Sequence, residues 1–287
     1  MSGEATRDLL RCESCGGTVL WDAAAVEAAC LFCGSRTLAV LDPDARLPTP
    51  EQWLPMTVLA SEAQARFRAW ATASWFRPKE LRETEVELRS MLLPVWRMDC
   101  ALETHWAGLR PALTTDSKKR PVAGVAELEA EVLVPASAGL SPAELEALRP
   151  FDETHAEAWP EREDASTEDA RWDPLAVWEP PALTRRGARQ RAHAELRERH
   201  RREISRARGL VRCHVSPLIE DREVALLMVP VYIGTFRFRD RPWRCVIQGQ
   251  SGAVVGDAPV DRRKLALVIA ATVVVVAMVI AALAWSS

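Results

Sequence analysis

The sequence predicts an α+β protein with an N-terminal rubredoxin-like zinc ribbon, an antiparallel α+β body and a single C-terminal transmembrane helix. Three observations lead to this fold class: two cysteine pairs near the N-terminus, strand-like and helical runs in the middle, and a charge-free apolar run near the end. The expected domain boundaries are a ribbon over 1–42, a proline-rich linker over 43–60, a cytosolic body over 61–260 and a membrane helix over 265–285.

The N-terminal cysteines have the spacing of a zinc ribbon. Cys12 and Cys15 form one CxxC pair, Cys30 and Cys33 form the other, and fourteen residues separate the two pairs. Four thiolates at this spacing converge on one tetrahedral ion, for which Zn²⁺ is favoured and iron in a rubredoxin-like site is the alternative. Because the protein fills all four positions, we expect a structural metal with no open coordination site.

The composition is that of an intracellular globular protein. The chain has 287 residues, 48% of them apolar, and its net charge of −3 provides no overall basic field for nucleic acid. The N-terminus has no apolar signal-peptide core, so we expect the body in the cytosol. Three further cysteines are isolated at Cys100, Cys213 and Cys245 in apolar strand contexts, which indicates packing rather than disulfides or nucleophiles.

The body alternates strand-like and helical patterns. A helix is expected from Ser61 to Trp75, with others over Pro142–Leu148 and Arg185–Ala207. Strand-like runs occur at Ser90–Trp106, Ala130–Pro135, Leu210–Ser216, Val224–Phe238, Trp243–Gln248 and Ala253–Val255.

Two of these strand-like runs share a proline followed by an aromatic residue. They read Leu93-Pro94-Val95-Trp96 and Val229-Pro230-Val231-Tyr232. The pattern indicates an internal repeat, or two edge strands that independently begin with proline.

Opposite charges are concentrated in two neighbouring segments. The acidic stretch 152–173 has nine acidic residues and two arginines, whereas 185–212, which contains the basic helix 185–208, has eleven arginines and three glutamates. We favour a solvated helix whose arginines pair with the acidic stretch. A surface for anionic lipid or nucleic acid is the alternative.

The apolar run from Leu265 to Trp285 predicts a membrane span. It has 21 residues without charge, proline or glycine, which as a helix is about the thickness of a bilayer core of roughly 30 Å. Arg262, Arg263 and Lys264 precede it, so the positive-inside rule places the N-terminal side in the cytosol. We expect a tail-anchored, single-pass protein of the cell membrane.

No catalytic motif stands out in the sequence. It contains no HExxH, nucleophile elbow, Walker loop or GxGxxG pattern, so we name no catalytic residue and predict a protein that is not an enzyme.

Several segments resemble one family. They are CESCGG, CLFCGS, LPMTVLASEAQARFRAWATASWFRPKEL, MLLPVWRMDC, EVLVPASAGL and MVPVYIGTFRFRDRPWRCVIQGQSGAVVGDAP. Together they are similar to bacterial and archaeal TFIIB-type zinc-ribbon proteins with a C-terminal transmembrane helix, often mislabelled primosomal protein N′ (replication factor Y) or superfamily II helicase. Gln248, Ser251 and Ala253 stand where the family pattern has asparagine, threonine and lysine. The resemblance implies a membrane-tethered protein, with stomatin- or flotillin-like and membrane-stress proteins as partners of some relatives.

These features lead to one principal functional hypothesis. The chain is expected to be a non-catalytic adaptor that binds the lipid bilayer through 265–285 and recruits protein partners to its cytosolic face. The alternative is a membrane-tethered zinc-ribbon protein that binds nucleic acid through the basic helix. An enzyme whose site is assembled from distant residues is a third hypothesis.

Overall fold

The computed structural model describes residues 7–14, 17–22, 30, 32, 35–40, 48–111, 119–160, 177–239 and 241–285. It confirms a mixed α+β protein with one apolar C-terminal helix. The elements in chain order are β1 (Arg7–Cys12), β2 (Thr18–Asp22), β3 (Leu38–Val40), β4 (Gln52–Trp53), α1 (Ala60–Thr72), a 3₁₀ helix (Lys79–Glu83), β5 (Glu87–Arg110), β6 (Arg120–Pro135), α2 (Pro142–Leu148), β7 (Glu157–Ala158), β8 (Val177–Trp178), α3 (Arg185–Arg208), β9 (Arg212–Phe238), β10 (Arg241–Gln248), β11 (Val254–Gly256) and α4 (Arg262–Trp285).

Two sheets organise the described residues. The N-terminal sheet has three antiparallel strands in the order β2-β1-β3. The larger sheet has eight strands and is built on β5 and β9, which pair antiparallel from Glu87–Thr235 to Leu109–Arg212. β6 forms a hairpin with β5, and β10 forms a hairpin with β9. Part of the segment expected as a linker over 43–60 joins this sheet, because β4 pairs with β7 and β9.

A β-bulge in β9 explains why the sequence predicts two separate runs, Leu210–Ser216 and Val224–Phe238, where the structure has one strand. Asp99 pairs with Glu223 and Cys100 pairs with Asp221, so Arg222 is an extra residue in β9. Side chains alternate between the faces of a strand, and one extra residue shifts that alternation. Asp221 and Val224 therefore lie on the same face of the sheet, beneath α3. In a regular strand, two residues three positions apart would lie on opposite faces.

Pro94 and Pro230 lie in the middle of the large sheet, not at its edge. On its outer side β5 pairs with β8 at Met91–Leu92 and with β6 from Val95 onward. β9 likewise pairs with β4 at Leu227–Met228 and with β10 from Val231 onward. Each proline, which has no N–H to donate, thus occupies the gap where the neighbouring strand changes.

The repeat extends well beyond these two prolines. We define the first half as β4, α1, β5 and β6, and the second half as β8, α3, β9 and β10. In both halves a tryptophan in the short strand precedes the helix N-cap by six residues: Trp53 precedes Leu59, and Trp178 precedes Thr184. Each short strand runs parallel to the long strand of the other half, so the two halves exchange elements.

Equivalent hydrogen bonds join the halves. Trp96, two residues after Pro94, donates from Nε1 to the carbonyl oxygen of Leu183 at 2.8 Å, just before the cap of α3. Tyr232, two residues after Pro230, donates from its hydroxyl to the carbonyl oxygen of Val58 at 2.6 Å, just before the cap of α1. The backbone matches too, with Ala136 N to Pro94 O at 3.0 Å and Gly249 N to Pro230 O at 2.9 Å. These contacts support the internal repeat.

Both helices bury the same positions. Counting from the N-cap, residues 4, 8 and 12 are buried in each helix. They are Ala63, Phe67 and Ala71 in α1, and Ala188, Ala192 and Leu196 in α3. Because this spacing keeps side chains on one face of a helix, each helix packs along one stripe. α1 covers the β9–β10 hairpin, and α3 covers the β5–β6 hairpin.

Candidate functional site

The predicted cysteine ligands fall at the edge of the described residues. Cys12 and Cys30 are buried in the same apolar cluster, whereas Cys15 and Cys33 lie outside the described residues. The backbone N–H of Cys12 donates to Gly17 O at 2.8 Å, and that of Cys30 donates to Ser35 O at 2.7 Å. Each of these hydrogen bonds joins a cysteine to the residue five positions later in the chain. The four-thiolate zinc site stays a prediction.

Phe32 joins the N-terminal segment to the body. Its side chain is only 1% exposed and belongs to the same core cluster as β5 and β9. A Cβ atom added to Gly139, in the loop before α2, would lie 2.3 Å from the Phe32 ring, and one added to Gly17 would lie 2.4 Å away. Glycine is therefore required on both sides of the ring. Phe32, which lies inside the second CxxC pair of the sequence, thus contacts the body through its side chain.

A polar cluster lies between α3 and the sheet. Cys100 on β5 donates from Sγ to Asp221 Oδ1 at 3.5 Å, and His193 Nε2 lies 2.7 Å from the same oxygen. Arg189, one turn before His193 on α3, donates from Nε to Asp221 Oδ2 at 2.5 Å. One ligand atom from each of Cys100, His193 and Asp221 lies within 4.8 Å of the others. These three residues could hold a metal ion.

Burial and hydrogen bonding set the charges in this cluster. Burial, reinforced by the hydrogen bond to Asp221, raises the pKa of Cys100 to about 12. Burial alone would raise the pKa of Asp221, but hydrogen bonds from His193 and Arg189 outweigh it and hold the pKa below its usual value. Without a metal, a neutral thiol therefore donates to an ionised carboxylate.

The sequence indicated packing for the three isolated cysteines, and all three are buried. Cys213 and Cys245 line apolar clusters, and burial raises the pKa of each thiol, to about 12 for Cys245. Cys100 also packs in an apolar cluster, but its contact with Asp221 was missed. The available signal was Arg189 and His193 at a spacing that places both on one face of a helix.

The segment 248–252, QGQSG, forms a turn. Gln248 is fully buried and accepts from Gln250 N at 2.7 Å and from Ser251 N, while its Nε2 donates to Pro150 O at 3.2 Å. Gly252 has φ +72°, in the left-handed region that favours glycine.

The base of α4 is tied to the first half. Asp261 caps the helix by accepting from Arg263 N at 3.0 Å, and its own N–H donates to Phe76 O at 2.7 Å. Lys264 Nζ donates to the carbonyl oxygens of Trp75 at 2.9 Å and Arg77 at 3.0 Å. Over Arg262–Ile280 the helix has a mean hydropathy of 2.3 and is 0% buried. It is long and apolar enough to span a membrane.

The described ion pairs of the α3 arginines are formed with Glu198, Glu203 and Asp221. In the described part of the acidic stretch, Glu153 pairs with Arg97, and Asp152 pairs with His155. Residues 161–173 lie outside the described residues, so the expected pairing with α3 stays a prediction.

Comparisons with known proteins identify no relative. No protein-family model, curated protein or solved structure matches the chain. The family resemblance carried by the sequence motifs therefore also stays a prediction.

Proposed function

We propose that the chain is a tail-anchored, non-catalytic adaptor of the zinc-ribbon family that it resembles, which recruits protein partners to the cytosolic face of the cell membrane. The observation that carries the proposal is α4, an apolar helix that leaves the body with its side chains uncovered by protein. An exposed apolar surface of this length is unfavourable in water and matches the thickness of a bilayer. Arg262, Arg263 and Lys264 at its start favour a cytosolic body.

Exposed aromatic side chains beside α4 support a membrane-apposed first half. Trp75 is 61% exposed and Phe76 is 37% exposed, and their rings meet edge to face at 5.5 Å. The carbonyl oxygen of Trp75 accepts a hydrogen bond from Lys264, and that of Phe76 accepts one from Asp261, at the start of α4. The two residues therefore lie about one helical turn before the apolar run. Aromatic rings at this depth favour the headgroup region. They would hold the first half against the bilayer.

The sheet face opposite α3 is the surface that we propose for the protein partner. Glu103 lies directly opposite both Leu218 and Glu127 in the three-stranded part formed by β6, β5 and β9. Leu218 is 72% exposed and Val125, on the same face, is 49% exposed. Like charges placed opposite each other on a sheet are unfavourable, which a basic partner would relieve. The partner is thus a protein with a basic surface and an apolar contact.

The proposed zinc ribbon has a structural role in this account. Zn²⁺ bound by Cys12, Cys15, Cys30 and Cys33 would supply folding free energy to a segment too small for a core of its own. Phe32, packed between Gly17 and Gly139, would transmit that order to the body.

A second candidate function is nucleic-acid binding at the membrane. The observation that favours it is the surface of α3, which carries exposed arginines besides those that contact the sheet, at Arg186, Arg191, Arg197, Arg202, Arg206 and Arg208. Such a surface would contact phosphates without reading sequence.

Affinity purification of the detergent-solubilised full chain separates these functions. Leu218→Glu changes the open sheet face, and the matched variant Arg197→Glu changes the outer surface of α3. The adaptor account expects a stoichiometric protein partner that Leu218→Glu loses and Arg197→Glu keeps. Nucleic acid that only Arg197→Glu loses would favour the second candidate. A chain that purifies alone in all three forms would contradict both.

A further inference from the structure

The internal repeat provides a reference for the polar cluster beneath α3. Cys100 follows Pro94 by six residues, and its equivalent, Phe236, follows Pro230 by six. Asp221 precedes Pro230 by nine residues and Val86 precedes Pro94 by eight, with the bulge at Arg222 accounting for the difference.

The equivalent space beneath α1 is filled with apolar side chains. Phe236 and Val86 pack with Phe67 and Trp70 of α1, and the Phe67 and Phe236 rings lie 5.2 Å apart. Apart from the bulge at Arg222, the equivalent backbone arrangement is therefore stable with an apolar filling. Replacing such a filling with a thiol, an imidazole and a carboxylate costs desolvation free energy that the fold does not require. The polar residues call for another explanation.

We propose that Cys100, His193 and Asp221 bind Zn²⁺, as a second metal site separate from the cysteine pairs. Tetrahedral zinc with sulfur, nitrogen and oxygen ligands sets the ligand atoms about 3.4–3.6 Å apart. Cys100 Sγ and Asp221 Oδ1 are 3.5 Å apart, whereas His193 Nε2 and Asp221 Oδ1 are 2.7 Å apart. Opening that hydrogen bond by less than about 1 Å brings this pair to the spacing of zinc ligands, and Cys100 Sγ and His193 Nε2 lie within 4.8 Å of each other.

The surroundings fit a three-ligand site with one open position. A thiolate combined with imidazole and carboxylate is a donor set that zinc accepts. Arg189 holds Asp221 Oδ2, which leaves Oδ1 for the ion and fixes the orientation of the carboxylate. The side chain of His193 is 28% exposed, so solvent reaches the cluster at this residue. Water or a small anion would occupy the open position.

Zinc content of the purified full chain tests the site. Wild type is expected to hold about two zinc ions per chain, and Cys100→Ser and His193→Ala about one. His200→Ala is the matched control, because His200 lies on the same helix and contacts Thr104 instead of the cluster, so it is expected to keep two. Cys12→Ser/Cys15→Ser should also fall to one, and a further loss on adding His193→Ala would show that the sites are independent.

The outcomes separate this inference from the proposed ribbon. If Cys100→Ser and His193→Ala both keep the wild-type zinc content, the second site is overturned, whatever the ribbon variant does. If only these two variants lose zinc, the second site stands and the ribbon proposal fails. Far-ultraviolet circular dichroism of each variant checks the fold, since Cys100→Ser replaces a single atom. Zinc loss accompanied by unfolding in Cys100→Ser would count against a specific site.

Discussion

The two halves of the body have the same framework and differ in what fills and surrounds it. Both contain a short tryptophan strand, a helix capped six residues later, and a long strand with a central proline and a nearby aromatic donor. The 13-residue helix of the first half, α1, covers an aromatic core that includes residues of β9, and the segment after α1 contacts α4. The second half has a 24-residue basic helix over a polar cluster.

This difference separates architecture from function. Contacts present in both halves, such as the hydrogen bonds from Trp96 and Tyr232, stabilise the fold that the two halves share. Features present in only one half have to be explained by what that half does. On this basis we propose that the first half faces the membrane, whereas α3 of the second half provides the basic surface. The candidate metal site lies between α3 and the sheet, with Cys100 from the first half and His193 and Asp221 from the second.

Removing α4 tests the asymmetry with the largest expected effect. A chain truncated after Asp261 should move entirely from the membrane fraction to the soluble fraction, because a span of 21 apolar residues dominates membrane affinity. Alkaline extraction followed by quantitative immunoblotting measures the distribution. Trp285→Phe, which keeps the span, is the control and should remain in membranes. Truncated protein that stays in the membrane fraction would contradict tethering by α4.

Exchanging equivalent core residues tests whether the two fillings are interchangeable. Phe67 and Ala192 both lie eight residues after their caps, and both are fully buried. Phe67→Ala should destabilise the chain by about 3–5 kcal/mol through the cavity that it leaves. Ala192→Phe should cost about 1–3 kcal/mol through overpacking beneath α3. Urea unfolding of the solubilised chain measures both, and a cost below 1 kcal/mol for Phe67→Ala would contradict a packed first half.

Removing one of the paired hydrogen bonds tests the repeat itself. Tyr232→Phe leaves the buried carbonyl oxygen of Val58 without this donor, at an expected cost of about 1–3 kcal/mol. Trp96→Phe removes the equivalent donor to Leu183 and should cost at least as much, since it also removes buried area. The urea midpoints of the two variants give the comparison. A neutral Tyr232→Phe would show that the hydrogen bonds are not equivalent.

A small pH effect distinguishes the second half. His200 is buried beneath α3, and burial lowers its pKa below 6.5, with Glu203 opposing and Arg199 reinforcing that shift. Below about pH 6.5 the imidazole of His200 is protonated in the unfolded chain but stays neutral in the native state. The free energy of unfolding is therefore highest above this pH and falls at lower pH. We expect the free energy of unfolding to fall between about pH 7 and about pH 5.5, and His200→Gln to reduce that fall. Unchanged pH dependence in His200→Gln would contradict a buried neutral imidazole.

Local patterns in the sequence predict most of the body. α2 has the predicted bounds, and α3 ends within one residue of them, because caps and apolar periodicity are local signals. The predicted runs Leu210–Ser216 and Val224–Phe238 are parts of one strand. The sequence showed two runs because the bulge at Arg222 breaks the alternation that marks a strand. β4 and β8 have two residues each, too few for a pattern.

The polar cluster could not be predicted for a different reason. Cys100 and Asp221 are 121 residues apart, and they meet only because β5 and β9 pair along their full length. The sequence does contain the proline–aromatic repeat, and aligning its two copies makes Phe236 the equivalent of Cys100. The difference between the two copies could therefore be predicted from the sequence, but the contact of Cys100 with Asp221 could not.

The most direct test of the account is the position of single tryptophans relative to the bilayer. The full chain, labelled with 5-fluorotryptophan and placed in lipid nanodiscs, is measured by fluorine NMR with and without a lipid spin-labelled near its headgroup, using Trp→Phe variants for assignment. The account predicts severalfold broadening of Trp75 and Trp285 and a sharp signal from Trp53, which is 6% exposed in the core. A sharp Trp285 would contradict a spanning α4, and a sharp Trp75 beside a broadened Trp285 would contradict a membrane-facing first half.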